Sequence, residues 1–238
     1  MSAEDSVDNI TVTTDPDLLL SEHTLNALKE FYTETYAKQN SGNKEETDFE
    51  ENWQLSQFWY SEETANYLSD EVIHALNLQS SHESEKMTEK SIACISCPTL
   101  FDCLYRKLIK DSINQSIKLI LFEFDKRFQM KYPSNYVFYD YNQPLDNSFI
   151  DRFTERSFDV VIADPPFLSD ECLRKTSETI NYLANDKILL CTGSVMRHTI
   201  DECLHLQECH HFEPKHNRKL GNEFKCFSNF NLRPIDIN

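Results

Sequence analysis

Val160-Val161-Ile162-Ala163-Asp164-Pro165-Pro166-Phe167 is an apolar run that stops on an acid, two prolines and an aromatic ring. The run is short and continuously apolar, the pattern of a strand buried on both faces rather than of one with a wet side. Two prolines fix two φ angles and remove two N–H donors, so pairing cannot continue through them. The corner they make presents an acidic side chain and carbonyls, which is a surface of acceptors. Such a corner can hold an NH2 group and aim its lone pair, while Phe167 packs on the flat or aliphatic part of whatever carries it.

Outward from this run the same rhythm repeats. Strand-like stretches occur at Ile92–Ser96, Ile117–Phe124, Tyr136–Tyr139, Phe158–Ala163, Lys187–Thr192, Leu206–Phe212 and Glu223–Phe230. Helical patterns lie between them, over about Leu100–Lys110, Ser169–Ala184 and Val195–Leu204. Strand–helix alternation predicts an α/β fold with a doubly wound, seven-stranded, Rossmann-like sheet. The last two strands are joined by only about ten residues, too few for a parallel crossover, so the final strand is expected to run antiparallel. Before this domain, Ser61 reads as the cap of a helix over about Glu62–Leu78, and the segment Gln57-Phe58-Trp59-Tyr60 is dense in aromatics. Residues 1–51 form an acidic extension with one helix, opened by Asp15-Pro16 and running to about Gln39, and a polar linker. Residues 52–238 form the main domain.

The formal net charge is −17. Residues 1–51 hold 13 acidic and 3 basic side chains, and residues 52–238 hold 27 and 20. An acidic surface repels phosphate backbones and attracts basic partners, which argues against nucleic acid as substrate. No apolar run reaches the length of a membrane span and the N-terminus carries no secretion pattern, so a soluble cytoplasmic protein is expected. The 8 cysteines fall mostly in apolar segments and read as reduced, buried thiols. Cys94-x-x-Cys97 has no second pair at finger-like spacing, and the histidines at 205, 210, 211 and 216 are better explained as surface or core residues, so no metal is expected.

In a doubly wound sheet, ligands bind beyond the carboxyl ends of the strands, where the strand order reverses. The residues there are Ser96-Cys97-Pro98, then Glu123 to Asp125, then Asp140-Tyr141, then Asp164 to Phe167. A carboxylate closing the second strand accepts the hydroxyls of a ribose. Alternation aims Glu123 and Asp125 the same way, with Glu123 preferred. Asp140 can accept from an adenine amino group, with Tyr139 or Tyr141 stacking on the ring. The chain has only 3 glycines, none near the first strand, which excludes the Gly-rich turn that cradles a pyrophosphate. S-adenosylmethionine has an adenosine but no phosphate, and small Ser96 and Cys97 allow its close approach.

These segments resemble the seven-strand methyltransferases that carry an [DN]-P-P-[YFW] motif for nitrogen targets. Among these they are most similar to the eukaryotic lysine methyltransferases of translation elongation factor 1-alpha, formerly labelled putative N6-adenine-specific DNA methyltransferases. The matching stretches are QFWYS (57–61), IACISCPTLF (92–101), LFEFDKRF (121–128), YVFYDYNQPL (136–145), FDVVIADPPFLSDECLRKT (158–176), LLCTG (189–193) and NEFKCFSNF (222–230). The resemblance implies an S-adenosylmethionine-dependent protein-lysine N-methyltransferase with Asp164, Pro165, Pro166 and Phe167 as its catalytic corner. It implies a donor site at Ser96, Cys97, Pro98, Glu123, Asp125, Asp140, Tyr141 and Asp164. It also lays Phe58, Trp59 and Tyr60 over the active site as substrate contacts, where composition alone would make them core. The implied partner is a basic protein, translation elongation factor 1-alpha. The alternatives are an N6-adenine methyltransferase on DNA or RNA and a non-catalytic, donor-binding adaptor. The chain departs from the wider superfamily in lacking the Gly-rich first loop.

Overall fold

The computed structural model describes residues 50–52, 55, 57–76, 89–110, 117–218 and 223–234. The helix expected between Asp15 and Gln39, and most of the linker after it, lie outside these residues.

Helix α1 (Glu62–Ala75) starts where Ser61 accepts from the Thr64 N–H, as its sequence position predicts. Strand β1 (Lys90–Ile95) leads into α2 (Pro98–Tyr105), with Pro98 in the first turn, where a missing N–H costs nothing. The helix expected over Leu100–Lys110 is therefore α2 continued as a π-helical turn, Arg106–Lys110. β2 (Ile117–Glu123), the short α3 (Arg127–Lys131) and β3 (Tyr136–Phe138) follow. Then come α4 (Asn147–Arg152) and β4 (Phe158–Ala163). Helix α5 (Asp170–Leu183) runs directly into β5 (Ala184–Gly193). A 3-10 turn at Ser194–Met196 precedes α6 (Arg197–Cys203), and β6 (Gln207–Glu208) and β7 (Phe224–Ser228) close the chain of elements.

The seven strands lie in the order β3-β2-β1-β4-β5-β7-β6. β1 pairs parallel with both β2 and β4, while β7 runs antiparallel between β5 and β6. The doubly wound, mostly parallel sheet with an antiparallel last strand is thus the fold observed. One strand is much shorter than its apolar run. Only two residues of Leu206–Phe212 pair with β7, because the chain then turns at Cys209–Phe212 and sends the Phe212 ring 4.2 Å from that of Tyr67.

Alternate residues of the central strands feed two cores. Ile92, Cys94, Leu119, Leu121, Val160 and Ile162 pack on one face beneath α1 and α2. Ala93, Ile95, Phe122, Val161 and Ala163 pack on the other beneath α4, α5 and α6. Covered on both sides, these strands read as continuous apolar runs. All 8 cysteines are free thiols, and seven are buried.

The sheet reverses direction between β1 and β4, and this junction is pinned where the Asp164 N–H donates to the Ile95 carbonyl at 3.0 Å. The chain leaves β1 through Ser96 at φ 53°, in the left-handed region where glycine is the usual occupant. The turn that other nucleotide-binding folds make with glycine is made here by serine, held by its N–H to the Phe122 carbonyl at 2.8 Å. A left-handed L-residue costs about 1–2 kcal/mol, and a β-branched one more. Ser96→Val should lower the unfolding free energy by about 2 kcal/mol or more in urea titrations, and Ser96→Gly should leave it within about 1 kcal/mol.

Candidate active site

The carboxyl ends of β1 to β4, with Leu55 and residues 57–60 as an added wall, enclose a cavity of about 660 Å³. That is within the range of small-molecule sites. Ser96, Cys97 and Pro98 line it from β1, Glu123 from β2, Asp140 and Tyr141 from beyond β3, and Asp164 to Phe167 from beyond β4. Phe58, Trp59 and Tyr60 line it from the opposite side. Tyr60 and Trp59 line the cavity and pack in the core at once, since Tyr60 is 3% exposed and Trp59 packs edge-on against Phe128 at 6.2 Å. Phe167 stands at the rim, 40% exposed, with the Tyr141 ring 5.8 Å away. Tyr139 also reaches the cavity, but its hydroxyl is committed to Thr179 at 3.0 Å.

One residue expected at the donor site is not there. Asp125 does not line the cavity. Its carboxylate faces Arg127, whose Nε lies 2.8 Å from Oδ2, and it accepts from the Gln57 amide at 3.0 Å. The alternation that would aim Asp125 with Glu123 lapses because β2 ends at Glu123, after which Phe124, half exposed, still lines the cavity and Asp125 turns to Arg127. Burial pushes the Asp125 carboxyl up, but the Arg127 hydrogen bonds outweigh it and hold the group below its usual range. Glu123 has no such partner. It is 5% exposed, and burial, with the Asp125 charge beside it, raises its pKa to about 7. Burial likewise raises Asp164 to about 7, opposed by a hydrogen bond from the Tyr60 hydroxyl and aided by the charge of Glu123.

Residues 57–61 are strapped down at both ends. The Trp59 N–H donates to Glu51 at 2.8 Å, and Arg218 meets Glu51 at 3.0 Å. Arg127 reaches the Gln57 side-chain oxygen at 3.1 Å. At the far end the Asn217 N–H donates to the Trp59 carbonyl, and the Ser61 N–H to the Lys215 carbonyl, both at 2.8 Å. His216, between these two, lines the cavity with its ring 5.0 Å from Tyr60 and 4.8 Å from Phe224, and burial lowers its pKa to about 4. Gln57 lines the cavity with the rest of the QFWY segment that the resemblance lays over it, whereas His216, Phe224 and Leu168 were not legible as site residues. The sequence signal nearest to them was the aromatic segment before Ser61. Leu168, next after the Asp164–Phe167 corner, packs against Gly193, where a Cβ would stand 2.9 Å from its Cδ2. Among the described residues no group of three metal-ligating side chains comes together: His216 faces the cavity, His210 lies beside Glu208 at 3.3 Å and His211 beside Tyr67 at 3.4 Å.

A sequence model of a family described as "Probable N6-adenine methyltransferase" matches residues 51–232. A human protein named EEF1A lysine methyltransferase 1 is 46% identical over 214 residues, covering 89% of this chain and 91% of that protein. A protein-lysine N-methyltransferase of Caenorhabditis elegans is 40% identical over 218 residues, covering 89% and 93%. One of Drosophila melanogaster is 38% identical over 229 residues, covering 92% and 96%.

A carboxyl whose folded pKa exceeds its unfolded value keeps its proton longer in the folded state. Stability is therefore greatest below the unfolded pKa and is lost as the pH rises through the folded one. For Glu123 that window runs from the ordinary Glu value of 4.5 to about 7. Glu123→Gln should stabilise the protein by about 2 kcal/mol at pH 8, and the gain should vanish near pH 4, as measured by denaturant unfolding at both values.

Proposed function

The chain belongs to the family of protein-lysine N-methyltransferases that includes the EEF1A lysine methyltransferases, and from that membership we propose that it moves a methyl group from S-adenosylmethionine to a lysine amine of a basic protein, EEF1A. Residues 52–238 are the catalytic domain. The observation that carries the reading is the corner Asp164-Pro165-Pro166-Phe167, set at the switch point of the sheet on a cavity that also holds Glu123 and Asp140.

S-adenosylmethionine supplies a sulfonium-bound methyl group, and no phosphate to be cradled. Glu123, ionised, accepts the two ribose hydroxyls. Asp140 accepts from the adenine amino group, and Tyr141 flanks the ring. Ser96, in its left-handed turn, brings the backbone of Cys97 and Pro98 close to the methionine end.

The amine enters past Phe167. A lysine in water is an ammonium and has no lone pair for the methyl carbon. The cavity alters this from both sides. Taking an amine out of water lowers its pKa, and taking Asp164 out of water raises its own to about 7. The gap of about 6 units between free lysine and free aspartic acid thereby narrows, and a proton can pass from nitrogen to carboxylate. Pro165 and Pro166 offer no competing N–H donors at the corner. The remaining N–H bonds of the amine meet acceptors only, which directs the lone pair toward the donor.

The acidic charge of the chain suits a basic acceptor protein and repels a phosphate backbone. A translation factor as acceptor supports a cytoplasmic reaction.

Asp164→Ala should cut turnover on EEF1A by at least about 100-fold while leaving the urea midpoint unlowered. Full turnover in this variant would remove the corner from the mechanism. With labelled donor and a cell extract, the label should be lost to protease and resist nuclease. Loss to nuclease alone would return the adenine reading.

A further inference from the structure

Three cysteines lie side by side across the last three strands of the sheet. β7 sits between β5 and β6, and its Cys226 stands directly opposite Cys191 of β5. On the other side β6 pairs Gln207 with Ser228 and Glu208 with Phe227, so the next position in that register sets Cys209 opposite Cys226. The Cys209 N–H donates to the Cys226 carbonyl at 2.8 Å, which holds it there. All three side chains pack in the core on the same face of the sheet, and all three are free thiols.

The hydrogen-bond alternation decides how near the sulfurs come. In an antiparallel pair, positions that exchange backbone bonds alternate with positions that do not, and in the latter the Cα atoms stand about 4.5 Å apart, with side chains closer. Between β5 and β7 the bonded positions are Ser194 with Glu223, at 2.8 Å, and Ile188 with Asn229, at 3.4 Å. Cys191 and Cys226 lie three steps from either, hence at a non-bonded position. A disulfide spans about 4.4–6.8 Å between Cα atoms, so this pair can close. We propose that Cys209, Cys226 and Cys191 form a thiol relay, sensitive to hydrogen peroxide, that ends in a reversible Cys191–Cys226 disulfide.

Cys191 and Cys226 are 1% and 0% exposed and closed to an oxidant, whereas Cys209 is 8% exposed and begins the turn that follows β6. The neighbouring Cys226 holds the Cys209 thiol below its ordinary pKa, against burial, which makes Cys209 the nucleophile of the row. Its thiolate attacks one oxygen of the peroxide, breaking the O–O bond and leaving a sulfenic acid and hydroxide. The Cys226 sulfur then displaces the sulfenic oxygen, which departs as water with the Cys226 proton, and a Cys209–Cys226 disulfide forms. Cys191 attacks the Cys226 sulfur from the other side, its proton passes to the hydroxide, and Cys209 leaves as thiolate. The order β5-β7-β6 places attacking, central and leaving thiols in that sequence, and the thiol of lowered pKa leaves fastest. Two thiols have lost two electrons and two protons, and the peroxide has become two waters. None of the three cysteines lines the catalytic cavity, so the relay stands apart from the methyl-transfer reading.

The test treats the full chain with dilute hydrogen peroxide under native conditions, blocks the remaining thiols, and maps the digest by mass spectrometry. A peptide pair joined through Cys191 and Cys226, and released by dithiothreitol, is the expected product. Cys209→Ala should slow its appearance at least about 10-fold, because the two remaining thiols are shut away from the oxidant. Cys226→Ala should leave a sulfenic acid on Cys209 that dimedone traps. Three results would overturn the relay: oxidation confined to the half-buried Cys203 of α6, joined peptides that appear only after unfolding in urea, or an unchanged rate in Cys209→Ala.

Discussion

Two carboxyl groups on one cavity at the edge of the sheet, Glu123 buried and Asp164 half-buried, are the constraint on which this structure turns. Glu123 ends β2 and Asp164 follows β4, with β1 between them, and the charge of Glu123 makes Asp164 harder to ionise. A folded protein ordinarily pairs such groups with cations. Here the cation goes elsewhere: Arg127 is spent on Asp125, one step outside the cavity. The site is left with two carboxyls near pH 7, which is the condition for a group that must both accept and release protons in neutral solution. The cost to stability is local and is set against the large apolar cores on both faces of the sheet.

The strap follows from that constraint. Without residues 57–60 the carboxyls would face solvent, ionise at ordinary pH, and lose their leverage over an amine. With an apolar strap alone they would stay protonated. The segment meets both demands, because it packs apolar rings over the cavity and adds a neutral donor, the Gln57 amide beside Asp125 and Glu123. Neutral donors lower a buried carboxyl pKa without pinning it as a cation would. Asp125 stands outside the cavity lining, between Arg127 and Gln57. It anchors the strap to the sheet through Gln57, sixty-eight residues away in sequence.

This explains what was legible in the chain and what was not. Strands buried on both faces announce themselves as continuous apolar runs, so β1, β2, β4 and β5 stood out, and with them the sheet and the corner at Asp164. The short β6 did not, because apolar residues in Leu206–Phe212 are also demanded by packing beyond the strand, at Phe212 against Tyr67. The choice between Glu123 and Asp125 depended on where β2 stops, and strand alternation has no power past that point. His216 was unreadable for another reason. Its place is fixed by a bridge to Tyr60 across more than 150 residues, and nothing in its own neighbourhood records that pairing. Local patterns carry the scaffold, whereas the site is finished by contacts between distant segments.

The scarcity of glycine belongs to the same account. A phosphate-binding turn needs glycine so that backbone N–H groups can converge on an anion. A sulfonium donor carries positive charge at the reacting centre, and converging N–H groups would oppose it. Ser96 keeps the left-handed turn that brings the chain close, and the residue after it, Cys97, is buried with its thiol against the Ile162 carbonyl at 3.8 Å. The corner on the neighbouring strand has replaced two of its N–H groups with proline rings. Both turns at the switch point are thus poor in donors, and the acids around them are rich in acceptors. An environment of that sign favours a cationic donor and an amine at once, and it disfavours the phosphate-bearing cofactors that the same sheet holds in other proteins.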